Sequence, residues 1–409
     1  MITVSHPTGN ANLRAAIDGM EAAGILSHYY TAIATYPGNA FDWLSKIGPL
    51  EDFSRRSFSP GLASKTQVHP WKELGRLLAS KTGMRSLTQH ETGLLSVDAV
   101  YQSIDEYVAG RLIKEQPKAV YAYEDGAATS FERARQLGIA TLYDLPIGYW
   151  RTARRMLNET IAEYPEWATT IKGVLDSPEK VARKDRELEL SDQIFVASTF
   201  TADSLKDYPG KLAPVHIIPY GFPTPIQNRQ YDSVGQRPLR LLFVGGLSQR
   251  KGIAELFAAV DHFGDKVTLT VVGRKVAEDC APLNAALAKH RYIPSMPHQQ
   301  VLALMREHDL LVFPSHFEGF GLVMTEAMSQ GTPVITTERT AGPDIIEHGE
   351  DGYIVPAGST EALINQIDEL VSRPERVAEV GRAASRRAAQ RPWSAYGHEL
   401  AVAIQDVLR

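Results

Sequence analysis

Two glutamates, Glu318 and Glu326, flank the seven residues G-F-G-L-V-M-T, which carry Gly319 and Gly321 in a short turn. The run D-L-L-V-F-P-S ahead of them predicts a buried strand, and L-V-M-T-E-A-M-S-Q behind Glu318 predicts a helix closed by Gly331. Glu318 then lies on the strand-to-helix loop and Glu326 about one turn into the helix. Carboxylates so placed suit an acid–base pair. The backbone amides of Gly319, Phe320, Gly321 and Leu322 are the free donors of a helix N-terminus, where phosphate or sugar oxygens bind. The two glycines let the backbone approach a ligand with no Cβ in the way. The plainer alternative is a favourable charge near a helix start beside a tight turn.

A second group stands in F-V-G-G-L-S-Q-R-K-G-I, residues 243–253. A strand ends at Gly245 and Gly246, and Arg250 and Lys251 follow where a helix is predicted to begin. Two cations there oppose the helix dipole unless an anion faces them. Arg can clamp a phosphate with two parallel hydrogen bonds and Lys adds a point charge, which suits a diphosphate that gains charge as a bond breaks. A solvated Arg-Lys pair is the alternative.

Both groups need rigid strand ends to hold them, and the chain supplies strands in two series. In the first half, strands are predicted at 1–5, 28–34, 118–123, 139–143, 193–197 and 214–218, with helical patterns between most of them. Residues 222–239 turn rich in Pro, Gln and Asn, which marks a linker. Strands and helices alternate again from 240 onward, and the tail after Thr360 is helical, broken at Pro374 and Pro392. Alternation of this kind predicts an α/β protein with two doubly wound parallel sheets, whose ligand-binding loops lie at the carboxyl ends of the strands. The expected division is 1–225, a linker at 226–239, 240–390, and a last helix at 391–409 that crosses back onto the first domain.

At 409 residues the chain is long enough for two cores, and 44% hydrophobic with 22% charged residues is the composition of a globular protein. A net charge of −5 argues against a dedicated nucleic-acid binder. A lone cysteine, Cys280, excludes an intrachain disulfide and fits a reducing compartment. With no signal-peptide pattern and no apolar run near the ~20 residues that span a bilayer, the expectation is a cytoplasmic protein with room for peripheral membrane contact.

Together, E-GFGLVMT-E followed by A-M-S-Q-G-T-P-V-I, and G-G-L-x-x-R-K-G at 245–252, resemble the donor domain of retaining glycosyltransferases of family 4, which have the two-domain GT-B architecture. The likeness is strong over 240–356 and extends more weakly through V-A-S-T-F-T-A-D-S-L and I-I-P-Y-G-F. The resemblance implies that a nucleotide-diphosphate sugar is the donor. Arg250 and Lys251 would hold its diphosphate, with Gly246 beside them, and Glu326 its ribose. Glu318 and the amides of Gly319, Phe320, Gly321 and Leu322 would hold the sugar. It also implies retention of the donor's α configuration, by same-face attack with the departing phosphate as base.

In the first half, H-P-T-G-N-A-N matches in position the glycine-rich loop of such enzymes, with Gly9 as the close-approach residue and Asn10 where a second glycine is usual. Asn10 and Asn12 are expected to bind phosphate or acceptor, or to cap the helix. Where family members often carry a histidine, this chain has Tyr123 followed by Glu124 and Asp125, and Asp144 ends the next strand. These acids read as acceptor-hydroxyl binders or proton acceptors, with a helix cap as the alternative for Asp125. The acceptor expected is a glycan or a lipid-linked sugar. Over 53–90 the basic residues Arg55, Arg56, Lys65, Lys72, Arg76, Lys81 and Arg85 face one acid, Glu73, which allows docking on anionic membrane. His6, His69, His90 and His316 show no metal-binding spacing, and neither a metal nor another cofactor is expected. Two other readings keep the fold: a nucleotide-sugar epimerase and a catalytically silent nucleotide-sugar-binding protein.

Overall fold

The computed structural model describes residues 1–45, 53, 56–172, 175–231 and 234–409. Its first sheet is built from β1 (Ile2–Ser5), β2 (Leu26–Thr31), β3 (Thr66–Val68), β4 (Ala119–Tyr123), β5 (Ala140–Leu145), β6 (Gln193–Val196) and β7 (Val215–Ile217), in the order β3-β2-β1-β4-β5-β6-β7. The second holds β8 (Leu239–Val244), β9 (Val267–Val272), β10 (Arg291–Ile293), β11 (Leu310–Phe313), β12 (Val334–Thr337) and β13 (Tyr353–Val355), in the order β10-β9-β8-β11-β12-β13. Every neighbouring pair runs parallel. The central strands are apolar on both faces, as burial between two helical layers demands; β1, β4, β11 and β12 are buried at every residue.

Three strands escape the sequence reading: β3, β10 and β13. All three are sheet edges and span three residues each. A three-residue strand is too short to show a period of its own, although β7, an edge of the same length, is read at 214–218. β2 starts at Leu26 rather than His28, because its register is set by pairing Leu26 with Ile2 of β1.

The loops at the carboxyl ends of the two sheets meet. Gly319, past β11, lies so close to the loop after β5 that a Cβ there would stand 2.2 Å from the Pro146 carbonyl. Its own carbonyl accepts from Ser198 Oγ at 2.6 Å and Thr201 Oγ1 at 3.0 Å, both beyond β6. Thr199 of the same turn donates to Asp344, and Ser248, beyond β8, donates its hydroxyl to the Thr170 carbonyl at 2.6 Å.

The chain crosses between the sheets twice, and the crossings run side by side. Phe222 N–H donates to the Arg391 carbonyl at 2.9 Å, and Arg391 Nη2 reaches back to the Pro219 carbonyl at 2.6 Å. The helix Trp393–Val407 then lies on Ala11–Ala22, with Gly397 against Gly19; a Cβ on Gly19 would sit 2.2 Å from the Gly397 carbonyl. The segment expected as a linker is docked on the second domain: Arg229 donates to the Gln330 carbonyl at 2.9 Å and Tyr231 to that of Gly331 at 2.7 Å. Residues 232 and 233 of that segment lie outside the described residues. No described helix is long and apolar enough to cross a membrane.

Candidate active site

The donor-side residues come together at two neighbouring strand ends. Arg250 and Lys251 leave β8 in a single 3₁₀ turn, Gln249–Lys251, and the helix itself begins at Ile253. The sequence reading put them at the helix start; Gly252, with φ of 69° and its α-carbon pressed on the Pro314 carbonyl, breaks the chain between turn and helix. Arg250 Nη1 donates to the Phe317 carbonyl at 2.7 Å and lies 3.3 Å from Glu318 Oε2. Lys251 Nζ is in direct contact with the same Glu318 oxygen. Glu318 thus supplies an anion that faces both cations.

Burial lowers the pKa of Lys251 well below that of a free lysine, and the Arg250 charge adds to this. The Glu318 carboxylate against the ammonium acts the other way.

A buried network that the sequence reading missed stands behind this turn. His316 Nε2 meets Glu255 Oε1 at 2.6 Å, Gln249 Nε2 donates to Glu255 Oε2 at 2.8 Å, and Gln249 Oε1 accepts from the Ala254 amide at 2.8 Å. His316 N–H also donates to the Arg250 carbonyl at 2.9 Å. Both sides of the cationic turn are thus tied to the helix behind it and to the end of β11. His316 was visible in the sequence only as a histidine without metal spacing.

Glu326 lies on the helix Leu322–Ser329 as expected, and its Oε1 pairs with His298 Nε2 at 2.9 Å. That bond raises the pKa of His298 above the ordinary histidine value. His298, at the start of the helix His298–Glu307, was not foreseen.

The glycines serve the protein's own packing. At Gly319 the missing side chain admits the Pro146 carbonyl, at Gly9 the Phe58 ring, and at Gly321, with φ of 90°, Phe313 and Met324. The side on which a Cβ would stand is thus filled by the chain itself at Gly9, Gly319 and Gly321. Gly246 is exposed and its α-carbon faces open space apart from Val276 at 3.9 Å. Phe320 is buried, with its ring 4.8 Å from that of Tyr220, while Leu322 is half-buried.

On the other domain Asn10 is a helix cap, its Oδ1 accepting from the Leu13 amide at 2.9 Å, and Asn12 is buried and donates to the Tyr220 hydroxyl at 3.1 Å. Asp144 is also buried rather than facing open space. It accepts from the Tyr121 hydroxyl, and burial pushes its pKa up to about 7. Tyr123 is buried edge-on to His6, with ring centres 4.6 Å apart, and burial lowers the His6 pKa to about 4, leaving that imidazole neutral.

Glu124 and Asp125 face three cations of the helix Pro178–Leu190: Lys184 Nζ is 3.3 Å from Glu124, while Arg183 Nη2 and Lys180 Nζ are 3.4 and 3.7 Å from Asp125. Burial pushes Glu124 up to about 7 against the pull of Lys184. Asp125 does not cap the next helix. Its own backbone is left-handed, with φ of 71°, and the helix Ala128–Gln136 receives its N-terminal acceptors from Asp105, at 2.7 Å from the Thr129 amide and 2.9 Å from that of Ser130. His90, which has no metal spacing in sequence, does meet Glu91 and Asp176 in space, but Lys180 and Lys184 also reach Asp176, at 3.5 and 3.3 Å.

The sequence and the fold have known counterparts. Residues 227–387 match the family model for glycosyl transferases group 1. Glycogen synthase from Mycobacterium tuberculosis is 28% identical over 211 residues, 48% of this chain and 50% of that protein. The chain spans about half the length of the curated relatives it matches. Among solved structures, sucrose-phosphate synthase from Thermosynechococcus elongatus superposes with a TM-score of 0.65 at 18% identity, covering 99% of this chain and 98% of that one. HepE from Anabaena, in complex with UDP, gives 0.63 at 15% identity, covering 99% of each chain. The fold is GT-B: two Rossmann-like domains whose carboxyl-end loops face each other.

Proposed function

We propose that the chain is a retaining glycosyltransferase of family 4 that moves a sugar from a nucleotide-diphosphate donor to a glycan or lipid-linked acceptor. The observation that carries the reading is the convergence of Arg250, Lys251 and Glu318 from two strand ends, with Glu326 one turn into the following helix. In this reading the diphosphate takes the place of the Glu318 carboxylate against Arg250 and Lys251. Glu318, so released, turns with the amides of 319–322 to the hydroxyls of the donor sugar. Glu326, oriented by His298, accepts from the ribose hydroxyls.

As the bond from the sugar to the phosphate breaks, negative charge grows on the diphosphate, and two cations held in place by the network behind them stabilise it with little reorganisation. The stabilisation comes from side chains, so the proposed step requires no metal. The acceptor hydroxyl attacks from the face the phosphate leaves, passing its proton to a phosphate oxygen. Glu124 and Asp125, held by Lys180, Arg183 and Lys184, would bind the acceptor, while Asp144 and Tyr123 support that surface from below. Excluding water at the meeting of the two domains favours the acceptor over hydrolysis.

The test is incubation with UDP-, GDP- and ADP-sugars, with and without a membrane extract, following free nucleoside diphosphate. Release that depends on the extract supports transfer. An isomerised nucleotide sugar without release, or binding without either, overturns it.

A further inference from the structure

We infer that the edge of the first domain around the helix Trp71–Lys81 is a docking surface for an anionic lipid bilayer. This goes beyond the transfer reaction and does not depend on donor chemistry. The sequence shows seven cations and one acid over 53–90; the structure shows where they go. Glu73, the acid, is 1% exposed and turned inward, where it binds Arg56 and, at 2.6 Å, Arg76. Lys65 is spent on Glu21. Lys81 and Arg85 stay exposed, Lys72 is half-buried with its ammonium on the Leu94 carbonyl, and Arg55 lies outside the described residues.

Large apolar side chains in and beside this stretch are exposed as well. Trp71 is 74% exposed, Leu78 65%, Met84 53% and Leu94 71%. Trp71 and Leu78 are seven positions apart, so they share one stripe of the helix, and Lys72 and Lys81 flank it on either side. The inner side of the same helix is anchored by Glu73 and Ala79. Large apolar side chains left in water on a soluble domain mark a binding face. A tryptophan with aliphatic neighbours and basic flanks is the chemistry of a bilayer interface: the apolar groups enter the headgroup region and the cations meet anionic lipid.

The position also fits a lipid-borne substrate. Trp71 opens the helix directly beyond the carboxyl end of β3, at the end of the sheet where the loops meet the second domain.

The experiment is co-sedimentation of the full chain with vesicles at low ionic strength, either phosphatidylcholine alone or phosphatidylcholine mixed with phosphatidylglycerol. Two surface variants are compared, Trp71→Ser/Leu78→Ser and Lys72→Ser/Lys81→Ser/Arg85→Ser. Circular dichroism and thermal melts confirm their folding, and light scattering measures their mass. Wild type should pellet with the anionic vesicles only. At about fivefold in partitioning for each cation near the surface, the triple variant should lose roughly a hundredfold. The apolar double variant should lose at least tenfold. Equal binding to neutral vesicles, unchanged binding by both folded variants, or no binding at all would overturn the inference. So would a dimer that the apolar variant dissolves, since the occupant would then be a second copy of the chain.

Discussion

Replacing Glu318 by glutamine should make the protein bind nucleoside diphosphate more tightly while nearly abolishing transfer. Glu318 sits against Lys251 and 3.3 Å from Arg250, in the place proposed for the diphosphate. A donor must displace that carboxylate before the cations can take up phosphate. Unit charges at such distances attract by about 4 kcal/mol at an effective dielectric near 20, and desolvation offsets most of it. A residual of about 1–2 kcal/mol corresponds to roughly fivefold to thirtyfold in the dissociation constant. Titration calorimetry with UDP, GDP and ADP on both proteins reads this directly. The gain should shrink with added salt, because it is a contest between charges. Turnover should fall by roughly two orders of magnitude, since the same carboxylate is proposed to orient the donor sugar. Equal or weaker nucleotide binding by Glu318→Gln would refute the displacement, and would mean that Glu318 helps to build the phosphate site.

Three further outcomes are expected. Lys251→Ala should lower turnover more than nucleotide affinity, whereas Glu326→Ala should mainly weaken nucleotide binding; steady-state kinetics beside calorimetry separate the two. Asp144 has its pKa raised by burial to about 7, so its contribution to stability is full below about pH 4 and is lost as pH rises through about 7. Asp144→Asn should remove that slope and, above pH 7, stabilise by up to about 4 kcal/mol; melting curves of the two proteins that stay parallel from pH 5 to pH 8 would contradict it. Gly319→Ala forces a methyl group onto the Pro146 carbonyl, 2.2 Å away, and should cost about 2 kcal/mol, seen as a lower melting temperature with the nucleotide site still formed.

What could be read from the sequence was local. The Glu318–Glu326 pair and the Arg250–Lys251 pair each sit at the end of an apolar strand followed by a helix, and such patterns survive in one dimension. The central strands were legible for the same reason, and the three-residue edges β3, β10 and β13 were not. The partners that give each group its state are distant in sequence: Lys184 for Glu124, Tyr121 for Asp144, Tyr220 for Asn12, Glu255 for His316 and His298 for Glu326. Two carboxylates that read as acceptor binders, Asp125 and Asp144, are found in an ion pair with Arg183 and in a buried hydrogen bond from Tyr121. At Gly9 and Gly319, read as places where a ligand approaches closely, the Cβ side is taken up by Phe58 and Pro146 of the chain itself.

Transfer and retention are both read by proton NMR of the sugar product. With an α-linked nucleotide-sugar donor and a membrane extract as acceptor source, a new anomeric signal in the α configuration should grow as nucleoside diphosphate is released. A β-configured product would contradict same-face attack, and a donor left unchanged across UDP-, GDP- and ADP-sugars would contradict the transfer itself.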